Sequence, residues 1–341
     1  MINAGIVGAS GYTGETLLGI LLKHPFVRLS YLSRGQDKEQ KISELFPKFE
    51  KISGLSCGPT DIKQIKEKCD VVFLAMPHTA SMSLVPKLIS CGKKVIDLSA
   101  DYRITDYRLY EKSYQVKHTD KANLKQAVYG LPELYRNKIK TASLIANPGC
   151  YPTAAVLALA PLLGLGVIEK DNIIIDAKSG ISGAGKKMSE GFLFNEANED
   201  FKAYKVNSHQ HAPEINQILS RLTGRKTEII FVPHLLPLYR GILETIYVKR
   251  SEVRGRKSKG NIIELYKKFY KDEPFVRIKK DAEFPRLKDV QGTNFCDIGI
   301  KDCGSNIIII SAIDNLIKGA SGQAVQNMNI MYNFPQETAL L

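Results

Sequence analysis

Several features common in other protein classes are missing from this chain of 341 residues. No uninterrupted apolar run is long enough to span a bilayer, so no membrane partner is expected. The opening residues Met1-Ile2-Asn3-Ala4-Gly5 carry neither the basic region nor the apolar core of a secretory signal. The cysteines (Cys57, Cys69, Cys91, Cys150, Cys296 and Cys303) stand far apart, with no CxxC pair. That spacing argues against a disulfide framework and against a zinc cluster, and it fits free thiols in a reducing cytoplasm. Internal repeats and low-complexity linkers are absent as well.

At 44% hydrophobic and 24% charged residues, the composition is that of a soluble globular protein. The length exceeds one ordinary core, so two domains are expected. The net charge of +13 is spread along the chain; its densest run, Lys249 to Lys259, contains Gly and Ser and reads as a solvated loop. A nucleic-acid partner would need the charge gathered into one patch, so none is expected. A basic enzyme drawing in phosphorylated substrates and cofactors is the better use of the field.

The first half reads as a dinucleotide-binding unit. Ala4 to Val7 is a short buried strand, Gly8-Ala9-Ser10-Gly11-Tyr12-Thr13-Gly14 a glycine-rich turn, and Glu15 to Leu22 an apolar-spaced helix. That order lets backbone N–H groups face a pyrophosphate, although the spacing is GxxGxxG and a tight turn without ligand is the alternative. About twenty residues past the glycines, where an acid would hold the ribose of NAD, stand Ser33 and Arg34. A hydroxyl and a guanidinium suit a 2′-phosphate, which favours NADP. Further strands at Asp70 to Ala75 and Val95 to Leu98 end in loops carrying His78 and Arg103. In an open parallel sheet such loops line the ligand crevice, and Arg103 is a candidate clamp for a phosphate or carboxylate.

Cys150 lies in Asn147-Pro148-Gly149-Cys150-Tyr151-Pro152-Thr153, between a strand ending at Ala146 and a buried helix over Thr153 to Ala160. A thiol at a helix N-terminus is stabilised as the thiolate, the form that attacks carbonyl carbon. The other reading is a small hydrophobe packed under the helix.

The second half alternates strands with irregular stretches. Asn172 to Ala177, Glu228 to Val232, Ile242 to Val248, Asp297 to Ile300 and Asn306 to Ile310 suit a mixed or antiparallel sheet. Ser179 to Lys186 either wraps a cofactor or is a flexible loop. Ser208 to Ile215 holds His209, His211 and Glu214, with no third ligand at zinc-like spacing, so no metal is expected. Pro233 to Gly241 reads as a Pro-bounded turn presenting Arg240. A last helix runs to about Met331.

These motifs together resemble the N-acetyl-γ-glutamyl-phosphate reductases of arginine biosynthesis, within the wider semialdehyde dehydrogenase group. The resemblance rests on Gly8 to Gly14, Leu98 to Arg103, Tyr129 to Glu133 and Asn147 to Thr153. It continues through Ser179 to Gly185, His209 to Ile215, Pro233 to Gly241 and Asp314 to Gln323. It implies an α/β fold with a Rossmann-type NADP-binding domain over 1–148, onto which a C-terminal helix of about 316–341 packs back. An α+β catalytic and dimerisation domain with a mixed sheet follows over 149–315, in a homodimer or homotetramer. Cys150 and His209 are implied as catalytic. Gly8, Ser10, Gly11, Tyr12, Thr13, Gly14, Ser33, Arg34, Ser182, Gly183 and Asn315 are implied at the cofactor, and Arg103, His211, Glu214 and Arg240 at the substrate. In the implied mechanism His209 deprotonates Cys150, the thiolate displaces phosphate, and NADPH reduces the thioester to the semialdehyde. His209 is preferred to His211 on motif matching alone. Reductases of aspartyl phosphate or of carrier-protein-linked aminoadipyl phosphate are the near alternatives. A non-catalytic NADP-sensing or nucleic-acid-binding protein is the remote one.

Overall fold

A computed structural model of the chain describes all residues except 36–37, 52–53, 187–189 and 252–260. Most of the basic run from Lys249 to Lys259 therefore lies outside the described residues. Two compact units form: Met1–Pro148 with Ala320–Leu341, and Gly149–Gly319. No helix of the described residues is long and apolar enough to cross a membrane.

The first unit is built on a six-stranded sheet. Its strands are β1 (Ile2–Val7), β2 (Val27–Ser33), β3 (Val71–Leu74), β4 (Lys94–Asp97), β5 (Val128–Tyr129) and β6 (Leu144–Ala146). All pairings are parallel, in the order β2-β1-β3-β4-β6-β5. Ala4 to Val7 and all of β3 are buried, as expected of strands covered on both faces. The chain runs outward from β1 to β2 and then returns to β3 on the other side of β1. The switch point thus lies at the C-terminal ends of β1 and β3, where such sheets bind ligands.

Helix α1 (Tyr12–Leu21) follows β1 directly, and helix α2 (Pro132–Thr141) leads into β6. The C-terminal helix Gly322–Met331 is buried along its whole length and packs on α1. It ends at Met331, as the sequence predicts, and so occupies only part of the C-terminal segment 316–341. Ile317–Ser321 is a π-helical turn, and Asn333 takes a left-handed φ of 56° that ends the helix. Phe334 N–H then bonds back to Asn329 O at 2.8 Å, closing the terminus.

The second unit carries a seven-stranded mixed sheet. Its strands are β7 (Ile173–Gly180), β8 (Lys202–Ala203), β9 (Ile229–Leu236), β10 (Ile242–Lys249), β11 (Val276–Ile278), β12 (Cys296–Cys303) and β13 (Asn306–Ile313). Their order is β8-β9-β7-β10-β13-β12-β11. The turn expected from Pro233 begins later than predicted, because β9 runs on through Pro233 to Leu236 in parallel register with β7. Ser179 and Gly180 likewise finish β7 and lead into a short 3₁₀ turn, Ile181–Ala184.

One helix dominates this unit. In α3 (Cys150–Gly164) every residue from Tyr151 to Leu163 is buried, and the helix lies against β10 and β13. Pro161 inside it removes the N–H that would bond Leu157 O. From helix Ile262–Phe269 and its C-cap the chain supplies a substitute, since Tyr270 Oη donates to Leu157 O at 2.7 Å, and Tyr266 Oη donates to the neighbouring Ala158 O. The other sheet face stays open. Ile230, Ile174, Tyr247 and Ile308 stand side by side across β9, β7, β10 and β13, and the first three are 45%, 37% and 41% exposed.

Candidate active site

In the first unit the glycine turn is fixed by sterics. Gly8 has a φ of 90°, and a Cβ there would stand 2.3 Å from Ala75 O at the end of β3. A Cβ on Gly14 would stand 2.3 Å from Gly8 O. Gly11 is the N-cap of α1 and provides no side-chain hydrogen bond. A helix N-terminus reached through such a close-packed turn is a ready anion site. Ser10, Tyr12 and Thr13 are partly buried along the same turn, and Thr13 O accepts Ser321 Oγ at 2.9 Å.

At the end of β2, Ser33 is fully buried, with Oγ 3.1 Å from Thr60 Oγ1, and its carbonyl accepts both Gly8 N–H and Ala9 N–H. Arg34 is buried too. Its Nη2 donates to Lys38 O at 3.0 Å, while its Nε has no acceptor among the described residues. A buried guanidinium with a donor to spare beside a glycine cradle fits a phosphorylated ribose.

Arg103 does not resemble an open clamp. It is 5% exposed, and its Nε and Nη2 donate to Asn147 O and Leu98 O, each at 2.7 Å. Much of its donor set is therefore spent bracing the ends of β4 and β6. His78 is exposed, and its Nδ1 accepts Ala100 N–H. A cavity of about 330 Å³ opens elsewhere in this unit, lined among others by Asn123, Gln126, Lys138 and Ser143; no candidate site residue lines it.

In the second unit Cys150 is the first residue of α3 and is partly exposed. Its N-cap, Gly149, is extended, and the Gly149 N–H donates to Glu214 Oε1 at 2.9 Å. Glu214 is fully buried in the first turn of α4 (Ala212–Thr223), whose N-cap is His211. This holds the strand-to-helix corner rigid directly ahead of the thiol. Gly319 packs against Cys150 from another direction, since a Cβ there would stand 2.8 Å from Cys150 Cβ.

His209 is buried. Its Nδ1 accepts His211 N–H at 3.0 Å, and its Nε2 lies 3.4 Å from Tyr204 Oη. A ring nitrogen that accepts carries no proton, so the neutral ring holds its proton on Nε2 and offers a donor there. Acting as the base for Cys150, as expected from sequence, would require His209 to release the His211 N–H. Tyr204 Oη also lies 3.1 Å from Tyr151 Oη. Burial pushes Tyr204 up to about 12 and Tyr151 higher still, and the neighbouring Cys150 adds to both shifts. Both phenols thus stay protonated at neutral pH. In the sequence nothing around Tyr204 distinguishes it from a surface loop.

The remaining candidates gather at the end of β13. Asn315 donates through Nδ2 to Ser182 Oγ at 3.0 Å and accepts Gly241 N–H at 2.7 Å, with Gly183 alongside. Arg240 Nη1 pairs with Asp314 Oδ2 at 3.1 Å, and its side chain is 23% exposed. Of the two candidate arginines it is the one open to an anion. All six cysteines are free thiols. Among the described residues no group of three or more His, Cys, Asp or Glu side chains is placed to hold a metal ion.

Comparison with known proteins gives consistent matches along the chain. Residues 3–142 match the model for the semialdehyde dehydrogenase NAD binding domain, and 150–315 that for the semialdehyde dehydrogenase dimerisation domain. The N-acetyl-gamma-glutamyl-phosphate reductase of Pelotomaculum thermopropionicum is 46% identical over 99% of this chain and 97% of that protein. That of Geotalea daltonii is 48% identical over 100% and 98%. Among solved structures, aspartate semialdehyde dehydrogenase II from Vibrio cholerae, complexed with ASA, superposes with a TM-score of 0.72 at 18% identity, covering 98% of each chain. Aspartate semialdehyde dehydrogenase with NADP from Candida albicans gives 0.71 at 16% identity, covering 97% of this chain and 98% of that one. The mixed-sheet, two-unit α/β fold is therefore that of the semialdehyde dehydrogenases, and the chain belongs to the N-acetyl-gamma-glutamyl-phosphate reductase family.

Proposed function

We propose that this protein reduces N-acetyl-γ-glutamyl phosphate to N-acetyl-glutamate 5-semialdehyde and phosphate with NADPH, through a thioester on Cys150. The observation that carries the reading is a partly exposed cysteine at the first position of a helix, in a chain related over its full length to reductases of that name. The helix N-terminus favours the thiolate. Its sulfur attacks the acyl carbon, a C–S bond forms, and the C–O bond to phosphate breaks with its electron pair leaving on phosphate. The proton consumed overall goes to that phosphate. NADPH, when bound, supplies the hydride that reduces the thioester. The resulting alkoxide re-forms C=O as the C–S bond breaks, returning the thiolate. His209 donates through Nε2–H to the oxygen that carries negative charge in both tetrahedral species, and backbone N–H groups at the start of α3 add to that stabilisation. A thioester keeps the carbonyl electrophilic where a carboxylate would not, which is the reason for covalent catalysis here.

Gly8 to Gly14 hold the pyrophosphate and Ser33 and Arg34 the 2′-phosphate, with Ser182, Gly183 and Asn315 as further cofactor contacts. The unpartnered Nε of Arg34 supports NADP over NAD. Arg240, His211 and Glu214 serve the substrate, and Arg103 braces the ends of β4 and β6. The free thiols and the biosynthetic reaction support a cytoplasmic location. The row Ile230, Ile174, Tyr247 and Ile308 on the open sheet face supports pairing with a second copy through the dimerisation domain.

The test is NADP reduction in the presence of phosphate, with N-acetyl-glutamate semialdehyde or aspartate semialdehyde as substrate. The acetylated substrate should be preferred by orders of magnitude in kcat/KM, and Cys150→Ser should lose turnover while still binding NADPH. Preference for aspartate semialdehyde would establish the rival reductase, and no reduction with either would revive a non-catalytic role.

A further inference from the structure

We infer that Asp314 is a positioning residue that fixes both the backing of the nucleophile and the anion-binding arginine from one buried carboxylate. The inference rests on the proposed reading of Arg240 and Cys150. Asp314 follows β13 and is fully buried. Its Oδ1 accepts Leu316 N–H at 2.8 Å and Ile317 N–H at 3.1 Å, and its carbonyl accepts Gly319 N–H at 2.9 Å. Those three bonds fold residues 314–319 into a tight turn. The turn ends with Gly319 so close to Cys150 that an added Cβ would stand 2.8 Å from Cys150 Cβ and 3.2 Å from its Cα. The other oxygen, Oδ2, accepts Gly292 N–H at 2.7 Å and Arg240 Nη1 at 3.1 Å.

One carboxylate therefore has two faces with different tasks. The Oδ1 face shapes the wall against which the cysteine stands, and the Oδ2 face orients the guanidinium. Four donors on two oxygens satisfy the buried carboxylate without solvent. Burying an aspartate only to close a turn would not need an arginine on its second oxygen. Sharing it ties the position of the nucleophile to that of the group that receives the substrate's anionic end, and near-attack geometry depends on that relation.

Asp314→Asn and Gly319→Ala separate the two faces. The asparagine oxygen can still accept from Leu316 and Ile317, but its NH₂ then opposes Gly292 N–H and Arg240. Three quantities would be read on the full-length protein: KM for phosphate and for the semialdehyde in NADP reduction, the pH-dependent rate of Cys150 alkylation by iodoacetamide, and the melting temperature. In Asp314→Asn the KM of phosphate or of the semialdehyde should rise about tenfold, the worth of one charge-assisted hydrogen bond, with alkylation within about twofold of wild type. Gly319→Ala should do the reverse, changing alkylation about tenfold or more through the displaced cysteine while leaving both KM values near wild type. Removing negative charge alone would strengthen the field of Arg240. An unchanged or lower KM in Asp314→Asn would therefore overturn the inference, as would parallel loss of every readout in both variants. Absence of NADP reduction by the wild type would instead overturn the proposed reaction. The alkylation comparison, which needs no turnover, would still test Asp314 through Asp314→Ala, whose thiol should change as that of Gly319→Ala does.

Discussion

Glu214 Oε1 accepts the main-chain N–H of Gly149 at 2.9 Å, which fixes the residue immediately before Cys150 to the first turn of a different helix. The bond is buried and charge-assisted, and such bonds contribute about 1.5–3 kcal/mol. Glu214→Ala should lower stability by about that amount and slow Cys150 alkylation, because the corner at Gly149 is released. Glu214→Gln keeps an acceptor and should recover most of both. Equal effects of the two substitutions, by chemical denaturation and alkylation rate, would show that the bond to Gly149 is not what matters.

Tyr204 and His209 form a second testable pair. Tyr204→Phe keeps the ring that packs edge-on to His209, with centroids 5.5 Å apart, but removes the hydroxyl facing Nε2. The expected result is a fall in kcat of about ten- to a hundredfold, within the range of general acid–base contributions, with little change in KM or melting temperature. His209→Asn should be more damaging than Tyr204→Phe. If His211→Asn alone abolishes the chemistry, the proton role belongs to His211.

The glycine turn makes a prediction that does not depend on activity. Gly8→Ala and Gly14→Ala both drive a Cβ to 2.3 Å from a backbone oxygen, so each should destabilise the first unit and weaken NADP binding. Gly11→Ala meets only Gly8 O at 3.8 Å and should fold normally. Thermal melts of the three variants check this, and a Gly14→Ala protein as stable as wild type would contradict it.

His24 should give the first unit a pH dependence. Its ring is buried, its Nδ1 accepts Phe26 N–H, and its Nε2 lies 2.9 Å from Asn329 Oδ1, so the neutral ring is held and its pKa lies below 6.5, chiefly through burial. The unfolded chain binds the proton more readily than the folded one. Stability is therefore full above about pH 6.5, declines as pH falls below it, and levels off beneath the folded-state pKa. Urea unfolding between pH 5 and 7.5 measures the slope, and His24→Leu should flatten it.

Much of the candidate site was legible because its signals are local. The glycine turn, Ser33 and Arg34, and Cys150 before a buried helix each sit at a strand-to-element junction that short-range pattern rules recognise. The buried helix proved longer than its apolar run, starting at Cys150 itself, since the first turn of a helix is set by capping geometry more than by composition. Pro233 suggests a turn because proline usually ends a strand, yet in the fold it is carried in register with Ala177 of β7.

By itself the sequence determined the order of elements, the α/β character and the residue types of the chemistry, since strand and helix periodicity and glycine spacing act over a few residues. Tertiary structure alone decided which of those groups meet. It bound Glu214 to Gly149, placed Tyr204 at His209, spent the donors of Arg103 on two carbonyls and joined Arg240 to Asp314. Those partners lie between 5 and 74 residues apart, and beyond the nearest of them no local propensity carries the information. The reason is physical: a buried polar group must find a partner wherever packing brings one, and packing is a property of the whole fold.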